Sequence, residues 1–321
     1  MTASALLQSG NYSDHRIPLS ELEGGDRGNF GTGHQDRVEV GPSALVRKAL
    51  SASEKNLATV TCMGTLVADQ ITFGKPPVNE VVLGRHFLQR PDFVAPYFGT
   101  FWSKIRERFP KVEQTQPVFS PQEIVFLDPG NVQPRVWYVS ADQAMLVQLQ
   151  QNRFYYNWRQ RPAGVQYGRF PALLSESLEI WEVLNEVAVE LTGRPFQTTG
   201  GEITYVNFIE IKDASPTEIA QQSLCDFFWN KNERFLPPPS GFSRMLNFPL
   251  PEAKGVLDVQ LGIAKNVQTG NDAIRLELNA HATLVEGESY EDWINVAHDF
   301  LVAAFKDLTS SQMHKSWELQ E

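Results

Sequence analysis

The residues that could perform chemistry are scattered along this 321-residue sequence. A nucleophilic triad needs an activated serine or cysteine with a base in reach, but the chain has no Gly-x-Ser-x-Gly motif, and neither cysteine has a histidine near it in sequence. The histidines are dispersed, and the two cysteines lack the Cys-x-x-Cys spacing of a structural zinc site. The sequence therefore predicts no catalytic residue, no metal site and no cofactor, and it favours a non-catalytic protein.

One polar cluster is the best candidate for a ligand site. Glu277 and His281 lie at alternating positions of a late strand with Arg275 and Asn279, so all four share its polar face. Glu80 begins an early strand directly after Pro-Pro-Val-Asn, and the two prolines restrict the backbone that directs its side chain. We predict a ligand-binding role for Glu80, Arg275, Glu277 and His281. The alternative is a solvated strand face, with Glu80 as an edge residue.

Aromatic and arginine side chains are concentrated in residues 135–161, RVWYVSADQAMLVQLQQNRFYYNWRQR. Period-two alternation rich in aromatic and β-branched residues predicts three short antiparallel strands, at Val136–Val139, Met145–Leu149 and Phe154–Trp158. One face of these strands must meet the helices of the fold. We therefore expect the opposite face to be exposed, with Tyr155 and either Trp137 or Tyr138 on it.

Exposed aromatic groups beside arginine often mark a contact surface. The residues that we predict to bind a partner through this face are Trp137, Arg153, Tyr155, Asn157 and Arg159. The sequence leaves three occupants open, namely a partner protein, the N-terminal segment of the same chain and a second copy of the chain.

Amphipathic helices must pack against these strands. Apolar residues at helical spacing predict long helices over Phe93–Phe109, Phe170–Leu191 and Tyr290–Thr309, and a shorter helix over Thr217–Trp229. Helices and strands follow in a similar order in the two halves of the chain. We predict an α+β fold in which two pseudo-repeated β-α-β-β-β-α units share an antiparallel sheet, with the long helices packed on one face.

The predicted organisation has four segments. Residues 1–42 are rich in small and polar residues, and they have too few apolar side chains to offset the entropy of ordering, so we expect a flexible N-terminal extension. Residues 43–74 are expected to add a short helix and strands to the core. Residues 75–193 form the first α+β unit, and residues 194–321 form the second.

Charge and composition restrict the partners and the location. The net charge of −10 argues against a nucleic-acid partner, because neutralising phosphates requires concentrated lysine and arginine. No apolar run is long enough for a membrane span, and the N-terminus lacks the pattern of a secretory signal. Cys62 and Cys225 both lie among apolar residues, so we expect two buried free thiols in a reducing cytoplasm rather than a disulfide.

Several runs together resemble an uncharacterised, sporadically distributed prokaryotic protein family. They are PPVNEVVLGRHF, an aromatic helix that ends in Phe-Pro, RVWYVSADQAMLVQLQQNRFYYNWR, a helix with Phe170 and Trp181, and a last helix that contains Trp293. The resemblance covers the chain from about Pro76 to Trp317, so the N-terminal segment is an addition to the usual length of the family. The resemblance implies a cytoplasmic prokaryotic protein, and it implies no established activity.

Two functions are compatible with these observations. The first is a non-catalytic binding or accessory protein whose aromatic and arginine-bearing sheet face holds a protein partner or a second subunit, and the sporadic family implies a bacterial defence or toxin-related system. The alternative is a small-molecule sensor or enzyme with a pocket between the sheet and the helices.

Overall fold

The computed structural model describes residues 71–119, 133–162, 164–227, 235–266 and 269–320. These residues belong to the second of the two units into which the chain divides, Met1–Val67 and Ala68–Glu321. The predicted extension over residues 1–42 lies outside the described residues, as does most of the segment 43–74. Of that segment only its last four residues are described, and they include a short strand.

The described part of the chain forms a large antiparallel sheet and several helices. The strands are β1 (Thr72–Phe73), β2 (Val78–Phe87), β3 (Lys111–Thr115), β4 (Arg135–Val139), β5 (Met145–Gln150), β6 (Arg153–Arg159), β7 (Thr198–Ile209), β8 (Ser243–Pro249), β9 (Val256–Lys265), β10 (Asp272–Thr283) and β11 (Leu319–Gln320). The helices are α1 (Pro96–Ile105), α2 (Arg169–Thr192), α3 (Pro216–Ser223), α4 (Tyr290–Leu308) and α5 (Ser311–Ser316).

Nine strands pair in the order β3-β4-β5-β6-β2-β7-β10-β9-β8, and β1 pairs separately with β11. The strands β3 to β6 form a meander that returns to β2, and the strands β8 to β10 form a meander that returns to β7. The antiparallel pair β2 and β7 joins the two meanders, with Val81 opposite Tyr205 and Leu83 opposite Ile203. The sheet is therefore continuous from one half of the chain to the other.

The hydrophobic core lies between one face of this sheet and the helices. Because side chains alternate along a strand, Leu83, Tyr156, Ile203 and Leu276 all point toward the helices, and all four are fully buried. The helix α2 presents buried residues at helical spacing, among them Leu184. Burial of apolar area of this kind is the main favourable term in folding.

Local signals set the ends of the long helices. The helix α2 ends before Gly193, which has a left-handed φ of 78° and donates its backbone N–H to the Val189 carbonyl. The helix α4 begins after Ser289, whose side chain accepts a hydrogen bond from the backbone N–H of Asp292. The predictions of helices over Phe170–Leu191 and Tyr290–Thr309 are therefore confirmed to within two residues at each end.

The helix predicted over Thr217–Trp229 is wrong in its length. The helix α3 is only eight residues long, and Leu224 then takes an extended conformation and forms an isolated bridge with Thr309. This bridge turns Leu224 into the core and leaves Cys225 exposed. The expectation of a buried Cys225 is therefore wrong, although its thiol is free. Cys62 lies outside the described residues.

Within the described ranges, none of the helices combines the length and the apolar character that a bilayer crossing needs.

Candidate functional site

The face of the sheet that points away from the helices carries a continuous set of polar and aromatic side chains. We call this surface the polar face, and it is defined by Glu80, His86, Arg135, Trp137, Gln148, Arg153, Tyr155, Asn157, Arg159, Glu202, Thr204, Arg275, Glu277, Asn279 and His281. The strand register brings them together, because residues paired across antiparallel strands project from the same face.

Both sets of residues singled out in the sequence lie on the polar face. The five predicted partner-binding residues come from β4 and β6, and the predicted ligand-binding residues come from β2 and β10. Glu80 joins the two sets, because its Oε1 accepts a hydrogen bond of 2.8 Å from Nδ2 of Asn157. Arg275 and His281 lie further along, where Arg275 pairs with Glu277, and His281 Nε2 lies 3.1 Å from Asp258 Oδ2.

A chain of three hydrogen bonds crosses four strands of the polar face. Arg135 donates to Oε1 of Gln148, and Gln148 donates through Nε2 to Oδ1 of Asn157 at 2.8 Å. Asn157 in turn donates to Glu80. Burial raises the pKa of the Glu80 carboxyl above its usual value, with a further contribution from the charge of Glu277. The hydrogen bond from Asn157 and the charge of Arg159 oppose this rise but do not cancel it.

Glu202 is the centre of a second polar network on the same face. Its Oε2 lies 3.3 Å from both His86 Nε2 and the Tyr155 hydroxyl, and its Oε1 accepts from Asn279 Nδ2 at 3.0 Å. Burial acts to raise the pKa of the Glu202 carboxyl, but His86, Arg153 and the Asn279 hydrogen bond together hold that pKa below its usual value. The second network therefore stabilises an ionised carboxylate.

The polar face differs from its prediction in exposure. Trp137, Tyr155 and both arginines of β6 were expected to be open to solvent, yet each is at most 9% exposed, and Asn157 is 1% exposed. Tyr138 lies on the opposite face, where its hydroxyl donates to the Phe98 carbonyl of α1. Of the two alternatives, it is therefore Trp137 and not Tyr138 that shares the face of Tyr155, and the expected exposure of that face is wrong.

A second site, whose lining residues the sequence did not reveal, lies on the other side of the sheet, between the sheet and the helices. A cavity of about 800 Å³ opens between the helices α2 and α4 and the strands β1, β2 and β7. Its apolar wall consists mainly of Phe73, Phe170, Leu174, Leu178, Leu301 and Phe305. Its polar groups come from Tyr167, Arg169, Tyr205, Asn207, Asn295, His298 and Asp299.

The two tyrosines of this pocket hold each other in place. Their hydroxyl oxygens are 2.8 Å apart, and either hydroxyl can be the donor. Burial raises the pKa of Tyr167 to about 12, and burial also raises the pKa of Tyr205. Both hydroxyl groups are therefore protonated at neutral pH. The hydrogen bond between the two tyrosines takes the proton of one hydroxyl group only. The other proton is available to an acceptor atom of a ligand.

The imidazole of His298 forms another part of the pocket wall. Its ring stacks on Phe170, with 3.9 Å between centroids and 10° between the planes, and its Nδ1 lies 3.0 Å from Asp299 Oδ1. A carboxylate can only accept here, so Nδ1 carries a proton, and a neutral ring presents Nε2 as an acceptor. Arg169 closes one end by donating to the backbone carbonyls of Phe73 and Gly74.

None of the predicted site residues contributes to the pocket. Its polar groups come from separate elements, and each looks ordinary in its own stretch of sequence, so no local motif identifies them. The one sequence feature that pointed to polar residues of the pocket is the adjacent pair His298 and Asp299. Their position on a core helix did not show that they line a cavity. Among the described residues, no group of three histidine, cysteine, aspartate or glutamate side chains is arranged to hold a metal ion.

Comparison with known proteins identifies no family for this chain. No model of a protein family matches the chain, and no curated protein is significantly similar to it in sequence. One solved structure that is similar in part is that of DynU16, a protein of the dynemicin biosynthetic locus, with 12% identity, 72% of this chain and 97% of that chain covered, and a TM-score of 0.23. A likeness at this TM-score supports no conclusion about fold or function.

Proposed function

We propose that this protein binds a small, largely apolar molecule in the pocket between the sheet and the helices α2 and α4. The observation that carries the proposal is the cavity of about 800 Å³ with apolar walls and a few convergent polar groups. Small-molecule sites in proteins are typically cavities of this size and composition. The function is that of a binding protein or sensor.

The pocket chemistry favours a ligand that is neutral at its polar end. The tyrosine pair offers a hydroxyl proton and His298 offers an acceptor nitrogen. The positive charge of Arg169 and the negative charge of Asp299 both lie in the wall, so the pocket has no excess of either charge. A hydroxyl or amide group on an apolar body would satisfy both the donor and the acceptor.

Filling the cavity tests the proposal. Leu178 lines the pocket from α2, and Leu178→Trp should occupy the space that a ligand needs. The matched control is Val189→Trp, because Val189 is on the same helix and is exposed. A neutral solvatochromic dye, Nile red, should bind the native protein and the Val189→Trp variant, and its affinity for Leu178→Trp should fall at least tenfold. Equal affinities in both variants would refute the proposal.

We also propose that the two halves of the chain are pseudo-repeats. This is supported by the element order, because β2, α1, a strand meander and α2 correspond to β7, α3, a strand meander and α4. The first meander has one more strand than the second. Superposition of β2, β5, β6 and α2 on β7, β9, β10 and α4 tests the relationship, and strands that fail to coincide in register would contradict it.

Other expectations stay predictions from the sequence. These are membership of the sporadic prokaryotic family, a cytoplasmic location and a homodimer or protein partner. Light scattering coupled to size-exclusion chromatography of the full chain tests the homodimer, and a monomer at micromolar concentration would exclude a stable one.

A further inference from the structure

Two arginines of the polar face surround one tryptophan. The guanidinium carbon of Arg135 lies 5.6 Å from the centroid of the Trp137 ring, and that of Arg159 lies 6.0 Å from the same centroid. Arg159 and Trp137 are each 7% exposed. Two positive charges therefore lie beside one indole, and the side chain of Arg159 is buried while that of Arg135 is half-buried.

Neither arginine has a carboxylate partner within the described ranges. Arg135 donates to the neutral amide of Gln148, and Arg159 donates through Nη2 to the backbone carbonyl of Gln143 at 3.1 Å. The carboxylates that act on them are more distant. Glu80 and Glu202 attract Arg135, and Glu80 and Glu113 attract Arg159.

Three buried donor atoms in this cluster lack an acceptor in the described part of the chain. They are Nε of Arg135, Nε1 of Trp137 and Nε of Arg159. Buried N–H groups almost always have a partner, and a buried charge is strongly unfavourable unless it is paired. Unpaired donors on one buried and one half-buried guanidinium group are the arrangement expected of a site that receives an anion.

We propose that Arg135, Trp137 and Arg159 form a binding site for a small organic dicarboxylate. Two guanidinium groups need two negative charges for neutralisation, and the edge of a guanidinium that carries Nε matches the two oxygens of a carboxylate. The indole N–H supplies a further donor to the same anion. The site is on the opposite side of the sheet from the pocket, so this inference does not depend on the proposed function.

Titration with succinate tests the site. Calorimetry on the full chain, at an ionic strength held constant with chloride, should show saturable binding of succinate. Arg159→Met, which keeps most of the side-chain volume and removes the charge, should weaken binding at least tenfold, and Trp137→Phe should weaken it by a smaller factor. The control is Arg244→Met, because Arg244 is an exposed arginine of the same sheet, and its affinity should equal that of the native protein.

The remaining outcomes decide against the proposal. Absence of saturable succinate binding to the native protein would overturn it, whatever the variants do, as would equal affinities in Arg159→Met and Arg244→Met. Inorganic phosphate that binds as tightly as succinate would overturn the carboxylate class. Binding of a polyglutamate peptide without binding of succinate would overturn the small ligand in favour of an acidic protein partner.

Discussion

The ring of Tyr155 on β6 fills the space that a side chain at Gly84 on β2 would need. An ideal Cβ on Gly84 would lie 2.8 Å from Cε1 of Tyr155 and 2.9 Å from Cβ of Glu202. Gly84 is paired in register with both residues, so Tyr155 extends across β2 and its hydroxyl reaches Glu202 on the far side. The glycine is required here for close packing.

We expect Gly84→Ala to destabilise the protein by about 1–3 kcal/mol, because overpacking a well-filled site displaces its neighbours by strain of this size. Chemical denaturation measures the free energy of unfolding. The matched control is Gly99→Ala in α1, where an added Cβ meets nothing within 4 Å, and where alanine is the better helix former by about 1 kcal/mol. Equal effects in the two variants would contradict the packing argument.

Glu80→Gln should stabilise the protein at neutral pH. The pKa of Glu80 is raised in the folded state, so its favourable contribution is complete below the usual value of 4.5 and is lost as pH rises through the raised pKa. Glutamine keeps an oxygen that accepts from Asn157 and removes the buried charge. The free energy of unfolding of Glu80→Gln should therefore exceed that of the native protein by an amount that grows from pH 4 to pH 8. A difference that does not change with pH would show that the charge of Glu80 does not destabilise the folded protein.

Glu202→Gln should have the opposite pH dependence. The pKa of Glu202 is lowered in the folded state, so its contribution is present above the usual value of 4.5 and is lost as pH falls through the lowered pKa. The variant should be less stable than the native protein at neutral pH, and the difference should shrink in acid. Glu182→Gln on the exposed side of α2 serves as the control, and an equally pH-dependent difference in that variant would remove the assignment to Glu202.

Tyr205→Phe tests the tyrosine pair of the pocket. Loss of its hydroxyl removes the hydrogen bond to Tyr167, and we expect a loss of stability of about 1 kcal/mol, the usual net value of one hydrogen bond. Nile red should still bind, because the apolar wall is intact, so the variant separates polar recognition from apolar burial. A loss of dye binding equal to that of Leu178→Trp would show that the tyrosine pair shapes the cavity itself.

The sequence predicted the parts of this molecule whose signals are local. Alternation in residues 135–161 located three strands, and it correctly assigned Tyr155 and Arg159 to one face. It did not predict which strand lies beside them, because the contact between Glu80 and Asn157 spans 77 residues and depends on the order of the sheet. A local pattern of apolar and polar residues carries no information about which strands pair in the sheet.

A pocket between the sheet and the helices was one of the two alternatives, but its lining residues were beyond sequence reasoning for the same physical reason. Tyr167 and Tyr205 lie 38 residues apart, and the cavity exists only because α2 and α4 leave space above β7.

The error in the predicted length of the helix α3 has a different origin. Helical periodicity continued past Ser223, but the bridge from Leu224 to Thr309 is a tertiary contact that overrides local preference.

In the main sheet, the pair β2 and β7 is the contact between a strand of the first half of the chain and a strand of the second half. Every other strand pair of the main sheet is formed within residues 78–159 or within residues 198–283. The backbone between α2 and β7 therefore connects the halves without contributing a strand to the main sheet. If the chain is cut there, after Gly193, we expect the two fragments to reassociate when they are co-expressed, because β2 and β7 recognise each other by register and not by covalent connection.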